Sequence, residues 1–415
     1  MKSIKPSLIK GTIKAPSSKS MTIRAAAGAL LSSGKTRILS PSKCQDARTA
    51  FWIIQDLGSV IYPDSQRIQV KGGLKLKKNS LHCGESGLCM RLFTPIASLF
   101  KRELTLKGEG SLLNRPMDMM KSPLKSLGVR CQTQNGLPPI KVKGPIGSGR
   151  VNMNSSVTSQ FLSGLLMTLP LCTGDSEIRV HNLKSKPYIL MTLELLKDFG
   201  IQVNTDCHLS TFHIPGNQKY SKKEYAVEGD WSGASFLLTA GAVSGKVTVT
   251  GLNMKSRQAD RQIIKALHKA GARIQTTENK VSVSRNKLTS FTFNATHCPD
   301  LIPALTVLAC FASGTSRIIG ADRLKDKESN RAFSLTSEFG KMGAKICFEK
   351  NKLLISGGGL KGGTVFSHHD HRIAMAEAVA GLRAKRGANI HKWECVSKSY
   401  PDFFKDLTSI GGNIK

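Results

Sequence analysis

Ile53-Ile54-Gln55-Asp56-Leu57-Gly58 closes a helix-like run with an apolar residue and then a glycine. The same ending returns at Leu124–Gly128, Leu195–Gly200, Ala266–Gly271, Phe339–Gly343 and Leu407–Gly411, so these glycines recur about every seventy residues along the chain. Glycine just past a helix supplies a left-handed C-terminal turn before a strand begins. A second feature keeps the same beat. The apolar run Ala25–Leu31 reaches the small-residue turn Ser32-Ser33-Gly34, and the β-branched stretch Thr36–Leu39 follows. This pattern recurs at Gly174, Gly245, Gly314 and Gly387 and is weakest near Lys101. Helices and strands alternating in six similar units predict an α/β protein with three units in each of two domains. The repeat also disposes of a false lead. Gly28 to Thr36 has the look of a phosphate-binding P-loop, but its glycines are one residue too far apart and a helix precedes the glycine instead of following it.

A chain of 415 residues exceeds what one core usually holds, which agrees with two domains. Hydrophobic residues make up 40% and aromatics 6%, ordinary for a soluble protein. No apolar run reaches the roughly eighteen residues that a membrane span needs, and Met1 to Lys19 has no apolar core, so neither an anchor nor a secretory signal is expected and the reading is cytoplasmic. Ten cysteines are scattered with no C-x-x-C pair, which argues for free thiols over zinc or a disulfide framework.

The net charge of +33 attracts polyanions and makes nucleic acid the first partner to weigh. The basic residues are spread along the chain, however, and no basic run is interleaved with aromatics for stacking. A basic enzyme handling small, multiply charged anions fits the same charge, and no specific nucleic acid is expected.

Cations, hydroxyls and glycines collect in short stretches that break the apolar pattern. Ala15-Pro16-Ser17-Ser18-Lys19-Ser20 opens a helix that carries Arg24 a turn further on. Helix N-termini bind anions through free N–H groups, and the cations add to this. Gly84–Arg91, Leu113–Asp118, Ser155–Phe161 and Ser185–Tyr188 continue the theme at matching phases of the repeat. The C-terminal half adds acids: Pro299-Asp300, Lys325–Arg331, His368-His369-Asp370-His371-Arg372 and Ser397–Asp402. The histidine–aspartate run invites a metal reading, but adjacent residues do not easily all face one ion, and no metal is expected.

Lys19-Ser20 with Arg24, Asn114-Arg115-Pro116, Thr158-Ser159-Gln160-Phe161, Glu228-Gly229-Asp230, Lys327-Glu328-Ser329-Asn330-Arg331, Asp370-His371-Arg372 and Lys398-Ser399-Tyr400-Pro401-Asp402 together resemble the signature set of the EPSP synthase family, the 3-phosphoshikimate 1-carboxyvinyltransferases. The resemblance runs in order from about residue 10 to the end. It implies a two-domain inside-out α/β barrel, each domain three βαβαββ units about a pseudo-threefold axis. One domain would be discontinuous (1–17 plus 229–415), the other continuous (18–228), with the active site in the cleft between them. It implies transfer of the enolpyruvyl group of phosphoenolpyruvate to shikimate 3-phosphate without any cofactor, by a monomer with small-molecule partners only and no membrane.

Carried over residue by residue, the resemblance places shikimate 3-phosphate against Lys19, Ser20, Arg24, Thr158, Ser159, Gln160, Ser185, Asp300 and Lys327. It places phosphoenolpyruvate against Lys19, Gly87, Arg115, Gln160, Arg331, Arg372 and Lys398. Asp300 is the expected base toward the acceptor hydroxyl and Glu328 the group at the methyl carbon, with Lys19 and His371 assisting. The sequence departs from the family at Glu85-Ser86-Gly87-Leu88 and Leu92, where Asn-Ala-Gly-Thr and a later proline are common. Arg323 stands where an asparagine contact to the acceptor phosphate is often found. Two rival readings are the sister transferase acting on UDP-N-acetylglucosamine and an RNA-end-processing protein of related fold. The first commonly carries a loop cysteine where Gly110 stands, and the second leaves Glu328 and Lys398 without a role.

Overall fold

The computed structural model describes residues 1–64 and 67–415, which separate into two compact units. One comprises Met1–Pro16 with Glu228–Lys415, the other Ser17–Val227. The crossings fall one residue before those expected from the sequence.

The continuous unit holds three four-stranded sheets of one topology. Lys35–Leu39 lies between the parallel strand Glu224–Ala226 and the antiparallel strand Arg67–Lys71, with Val60–Pro63 at the far edge. Glu103–Lys107 pairs in the same way with Ser80–His82 and Leu137–Lys143, and Ser176–His181 with Arg150–Asn154 and Thr211–Ile214. The discontinuous unit repeats the scheme. Gly245–Thr250 runs parallel to Ile9–Lys14, in register from Gly245 opposite Ile9 to Thr250 opposite Lys14. Thr315–Ile319 runs parallel to Thr292–Asn294, and Ala388–His391 runs parallel to Gly363–Phe366. The last sheet has Lys2–Ile4 as its antiparallel strand. Residues 1–14 therefore belong with the second half of the chain because two of its sheets are incomplete without them.

Helices alternate between two kinds. In the continuous unit they are α1 (Lys19–Leu31), α2 (Gln45–Leu57), α3 (Gly87–Ala97), α4 (Lys121–Ser126), α5 (Gln160–Thr168) and α6 (Lys186–Asp198). In the other they are α7 (Trp231–Ser244), α8 (Ile263–Lys269), α9 (Ile302–Cys310), α10 (Arg331–Lys341), α11 (His371–Gly381) and α12 (Phe403–Ser409). The odd-numbered helices α1, α3, α5, α7, α9 and α11 are apolar or small on nearly every face and are buried almost throughout. A helix that is apolar all round has no face to offer water and must sit inside. The even-numbered helices bury one side only, as in α2 and α10. Sheets and amphipathic helices thus enclose a helical centre in each unit, the inside-out arrangement.

All six repeat glycines, 58, 128, 200, 271, 343 and 411, have positive φ. They occupy the left-handed turn that the sequence pattern required of them. Gly28, the discarded P-loop glycine, lies inside α1, where a Cβ would come within 3.0 Å of the Phe199 ring. Its smallness serves helix packing. The ten cysteines are all free thiols. Among the described residues no helix is long and apolar enough to cross a membrane.

Candidate functional site

The buried helices deliver the predicted residues by their N-terminal ends. Lys19 and Ser20 open α1, Gly87 opens α3 and Gln160 opens α5. In the other unit Asp300 lies in the short turn before α9, and His371 and Arg372 open α11. An N-terminal turn presents free N–H groups and the positive end of the helix dipole. Each unit thereby gathers positive potential at one end of its core before any side chain is counted.

In the continuous unit these helix ends are tied together. The Nζ of Lys19 donates to Asp46 on α2 at 2.7 Å. Arg91 on α3 donates from Nη1 to the Gln160 side-chain oxygen at 3.0 Å and from Nη2 to the carbonyl of Pro116 at 3.0 Å. Arg115 closes the 3-10 turn Gly110–Asn114 and lies over Gly87, where a Cβ would stand 2.5 Å from its Nη1. Glycine at 87 is what allows the guanidinium so near the start of α3. The Thr158 hydroxyl accepts from the amide of Gln160 at 3.1 Å, and Ser159 stands at the N-cap position of α5. Ser185, nearly buried, holds a left-handed backbone (φ 56°) at the start of α6, the kind of local strain that collects at functional sites.

Arg24 is the exception. It is fully buried and donates to Thr192 at 2.9 Å, to Ser163, and to the carbonyls of Ser20 and Tyr188. Burial draws its pKa down to about 10. Arg24 ties α1 to α5 and α6, and this demand on its donors was not visible in the sequence.

In the discontinuous unit the predicted residues form one charge cluster centred on Arg331. That guanidinium is buried and donates to three carboxylates: Asp300 at 2.8 Å, Glu328 at 2.5 Å, and Asp370 at 2.7 and 3.2 Å. Asp300 is also approached by Arg372 at 3.3 Å and Lys327 at 3.4 Å. Burial works against the charge of Asp300, but Arg372, Lys327 and Arg331 outweigh it and hold the carboxyl well below the usual carboxylate range. For Lys327 the balance tips the other way. Burial, with repulsion from Arg323 and Arg331, draws its pKa down to about 8 despite the attraction of Asp300. The Nζ of Lys398 donates to the carbonyl of His369 at 2.8 Å, and His371 is buried with its Nδ1 4.0 Å from Asp370. Arg331, expected beside phosphoenolpyruvate, bonds these acids and links Asp300 to Glu328.

Three acids of these clusters escaped sequence reasoning. Asp46 and Asp370 were missed because a carboxylate's partner is set by the fold, although Asp370 stood inside a quoted motif. The third is Asp260, fully buried, one oxygen accepting from Ser232. Burial raises its pKa to about 7, with Arg372 opposing and Asp300 reinforcing the shift. The histidine–aspartate run does not converge on an ion site: His368 bonds Glu338 at 2.9 Å, while Asp370 caps α11 and binds Arg331. Among the described residues no group of three His, Cys, Asp or Glu is disposed to hold a metal.

Comparison with known proteins matches the chain to a family. The family profile described as EPSP synthase (3-phosphoshikimate 1-carboxyvinyltransferase) matches residues 4–407. The 3-phosphoshikimate 1-carboxyvinyltransferase of Clostridium kluyveri is 38% identical over 416 residues, covering 99% of this chain and 97% of its own. That of Clostridium perfringens is 36% identical over 418 residues, covering 99% and 98%. Among solved structures, EPSP synthase from Acinetobacter baumannii superposes with a TM-score of 0.83 at 25% identity, covering 100% of this chain and 99% of that one. The enolpyruvyl transferase NikO from Streptomyces tendae reaches 0.80 at 15% identity, covering 100% and 98%, a likeness of fold. The chain belongs to the EPSP synthase family.

Proposed function

We propose that the protein transfers the 1-carboxyvinyl group of phosphoenolpyruvate to the 5-hydroxyl of shikimate 3-phosphate and releases phosphate. The observation that carries this reading is the cluster at Arg331, which joins the two acids assigned to proton transfer on one buried guanidinium. Lys19, Ser20, Thr158, Ser159, Gln160, Ser185, Asp300 and Lys327 hold shikimate 3-phosphate, and the remaining Nη1 N–H of Arg24 supports it. Lys19, Gly87, Arg115, Gln160, Arg331, Arg372 and Lys398 hold phosphoenolpyruvate. Two phosphates and two carboxylates repel one another, and arginine forks and lysine charge offset that repulsion where it is greatest.

The chemistry is an addition followed by an elimination. Asp300 accepts the proton of the acceptor hydroxyl as its oxygen bonds to the second carbon of phosphoenolpyruvate. Glu328 must first take up a proton against the pull of Arg331, and then delivers it to the methylene carbon, which becomes a methyl group. The tetrahedral intermediate then expels phosphate while the methyl group returns a proton, leaving the enol ether. Asp300 starts as a weak base because three cations stabilise its charge. Substrate anions that engage Arg372 and Lys327 draw off part of that stabilisation and make the carboxylate more basic when it is needed. Lys19 and His371 assist, and the protein acts as a cytoplasmic monomer.

A rival acceptor, UDP-N-acetylglucosamine, is disfavoured at Gly110, where the sister transferases commonly carry a cysteine; here the position holds a left-handed turn (φ 52°). Mass spectrometry of the products tests the proposal. Phosphoenolpyruvate and shikimate 3-phosphate should give one carboxyvinyl ether and one phosphate per turnover, and a product without the carboxyvinyl group would refute it.

A further inference from the structure

Glu85 is the residue whose negative charge fits least well among the cations of an anion site. The structure gives it a task. One of its carboxylate oxygens accepts two hydrogen bonds from Ser111, from the amide and from the hydroxyl, each 2.9 Å long. A third bond runs alongside, from the amide of Glu109 to the carbonyl of Gly84 at 2.9 Å. Ser111 lies in the 3-10 turn Gly110–Asn114, and that turn ends at Arg115, whose amide donates to the carbonyl of Leu112. Gly110 enters the turn with φ +52°, and a Cβ there would stand 2.5 Å from the Glu85 carboxyl carbon. The turn is therefore clasped against Glu85 at its first two residues, and the few residues up to Arg115 leave little slack.

We infer that Glu85 is a positioning residue for Arg115: it anchors the turn that lays the guanidinium over Gly87 and so sets how tightly phosphoenolpyruvate is held. This rests on reading Arg115 as a ligand of that substrate. A carboxylate suits the task because one charged oxygen accepts both donors in charge-assisted bonds. The bonds to Ser111 also turn this carboxylate oxygen toward the loop.

Glu85→Ala and Glu85→Gln test the inference through steady-state kinetics and hydrogen exchange of the 110–114 segment read by mass spectrometry. Glu85→Ala should raise KM for phosphoenolpyruvate about tenfold, through loss of the two charge-assisted bonds from Ser111 that hold the turn. Its kcat should stay within about twofold, KM for shikimate 3-phosphate should hold, and exchange in the turn should speed up. Glu85→Gln should recover most of the affinity and the protection, since its amide oxygen still accepts from Ser111. Faster exchange with an unchanged KM for phosphoenolpyruvate would overturn the inference. So would equal effects on both substrates, or a glutamine variant no better than alanine. Wild-type protein that fails to turn over phosphoenolpyruvate would instead sink the reading of the site, while exchange still reports whether the clasp exists.

Discussion

Replacing Arg331 by methionine removes the guanidinium that joins Asp300, Glu328 and Asp370. The side chain is 1% exposed and makes four hydrogen bonds to the three carboxylates. Methionine fills much of the volume but leaves the buried Asp370 and the half-buried Asp300 and Glu328 facing one another. Removing one partner of a buried ion pair costs about 3–5 kcal/mol, because the surviving charges keep their desolvation penalty. For a unit of this size each kcal/mol moves the midpoint by about 2–4 °C, so a fall of roughly 6–20 °C is expected. The loss should depend on pH, with a definite sign. The folded pKa of Asp300 is depressed, so its contribution is present above the unfolded value and disappears as pH falls through the folded one. Without Arg331 the depression shrinks, and the variant's carboxyls take up protons sooner. Wild type and variant should differ by a constant amount above about pH 5 and by less as pH falls below about 4, the ordinary aspartate value. Differential scanning calorimetry at pH 7.5 and pH 3 reads both effects. A fall of only a degree or two, or a loss of equal size at both pH values, would refute the hub role given to Arg331.

Glu377 should prove costly to the fold at neutral pH. It is fully buried in α11, and neither carboxylate oxygen has a hydrogen-bond partner among the described residues. Burial, with repulsion from Glu338, raises its pKa well above the usual value. Stability is therefore lost as pH rises through the unfolded value, and Glu377→Met should raise the urea midpoint at pH 8, by about 1–3 kcal/mol in free energy, with little gain at pH 4. A variant less stable than wild type at pH 8 would contradict this. Lys327, with its pKa near 8, should lose charge just above neutrality, so KM for the phosphorylated acceptor should climb above about pH 8 and Lys327→Arg should move that rise upward. A flat profile from pH 7 to 9 would count against Lys327 as a phosphate ligand.

The fold could be read in the sequence wherever local chemistry repeats. Each repeat glycine must take a left-handed turn, and the all-apolar helices have no side fit for water, so the beat of the units and the buried helices both show in the residues. Strand pairing was less accessible. Glu224–Ala226 completes a sheet begun at Lys35, and Lys2–Ile4 completes one at Ala388. Nothing in either tripeptide specifies a partner so distant in the chain. The same division runs through the site. Cations at helix starts were legible because helix ends and phosphates share a simple electrostatic logic. Which acid meets which cation was not. Asp46 lies twenty-seven residues from Lys19 and Asp370 thirty-nine from Arg331, and only the packed helices decide those pairs. Arg24 shows the converse, a cation placed correctly in the motif whose donors the core largely claims.

The most direct test of the account is phosphate release by the purified protein from phosphoenolpyruvate, with shikimate 3-phosphate and UDP-N-acetylglucosamine as parallel acceptors. Release only with shikimate 3-phosphate, abolished in Asp300→Ala and in Lys19→Met, is the predicted result. Release with neither acceptor, or undiminished release from both variants, would contradict it.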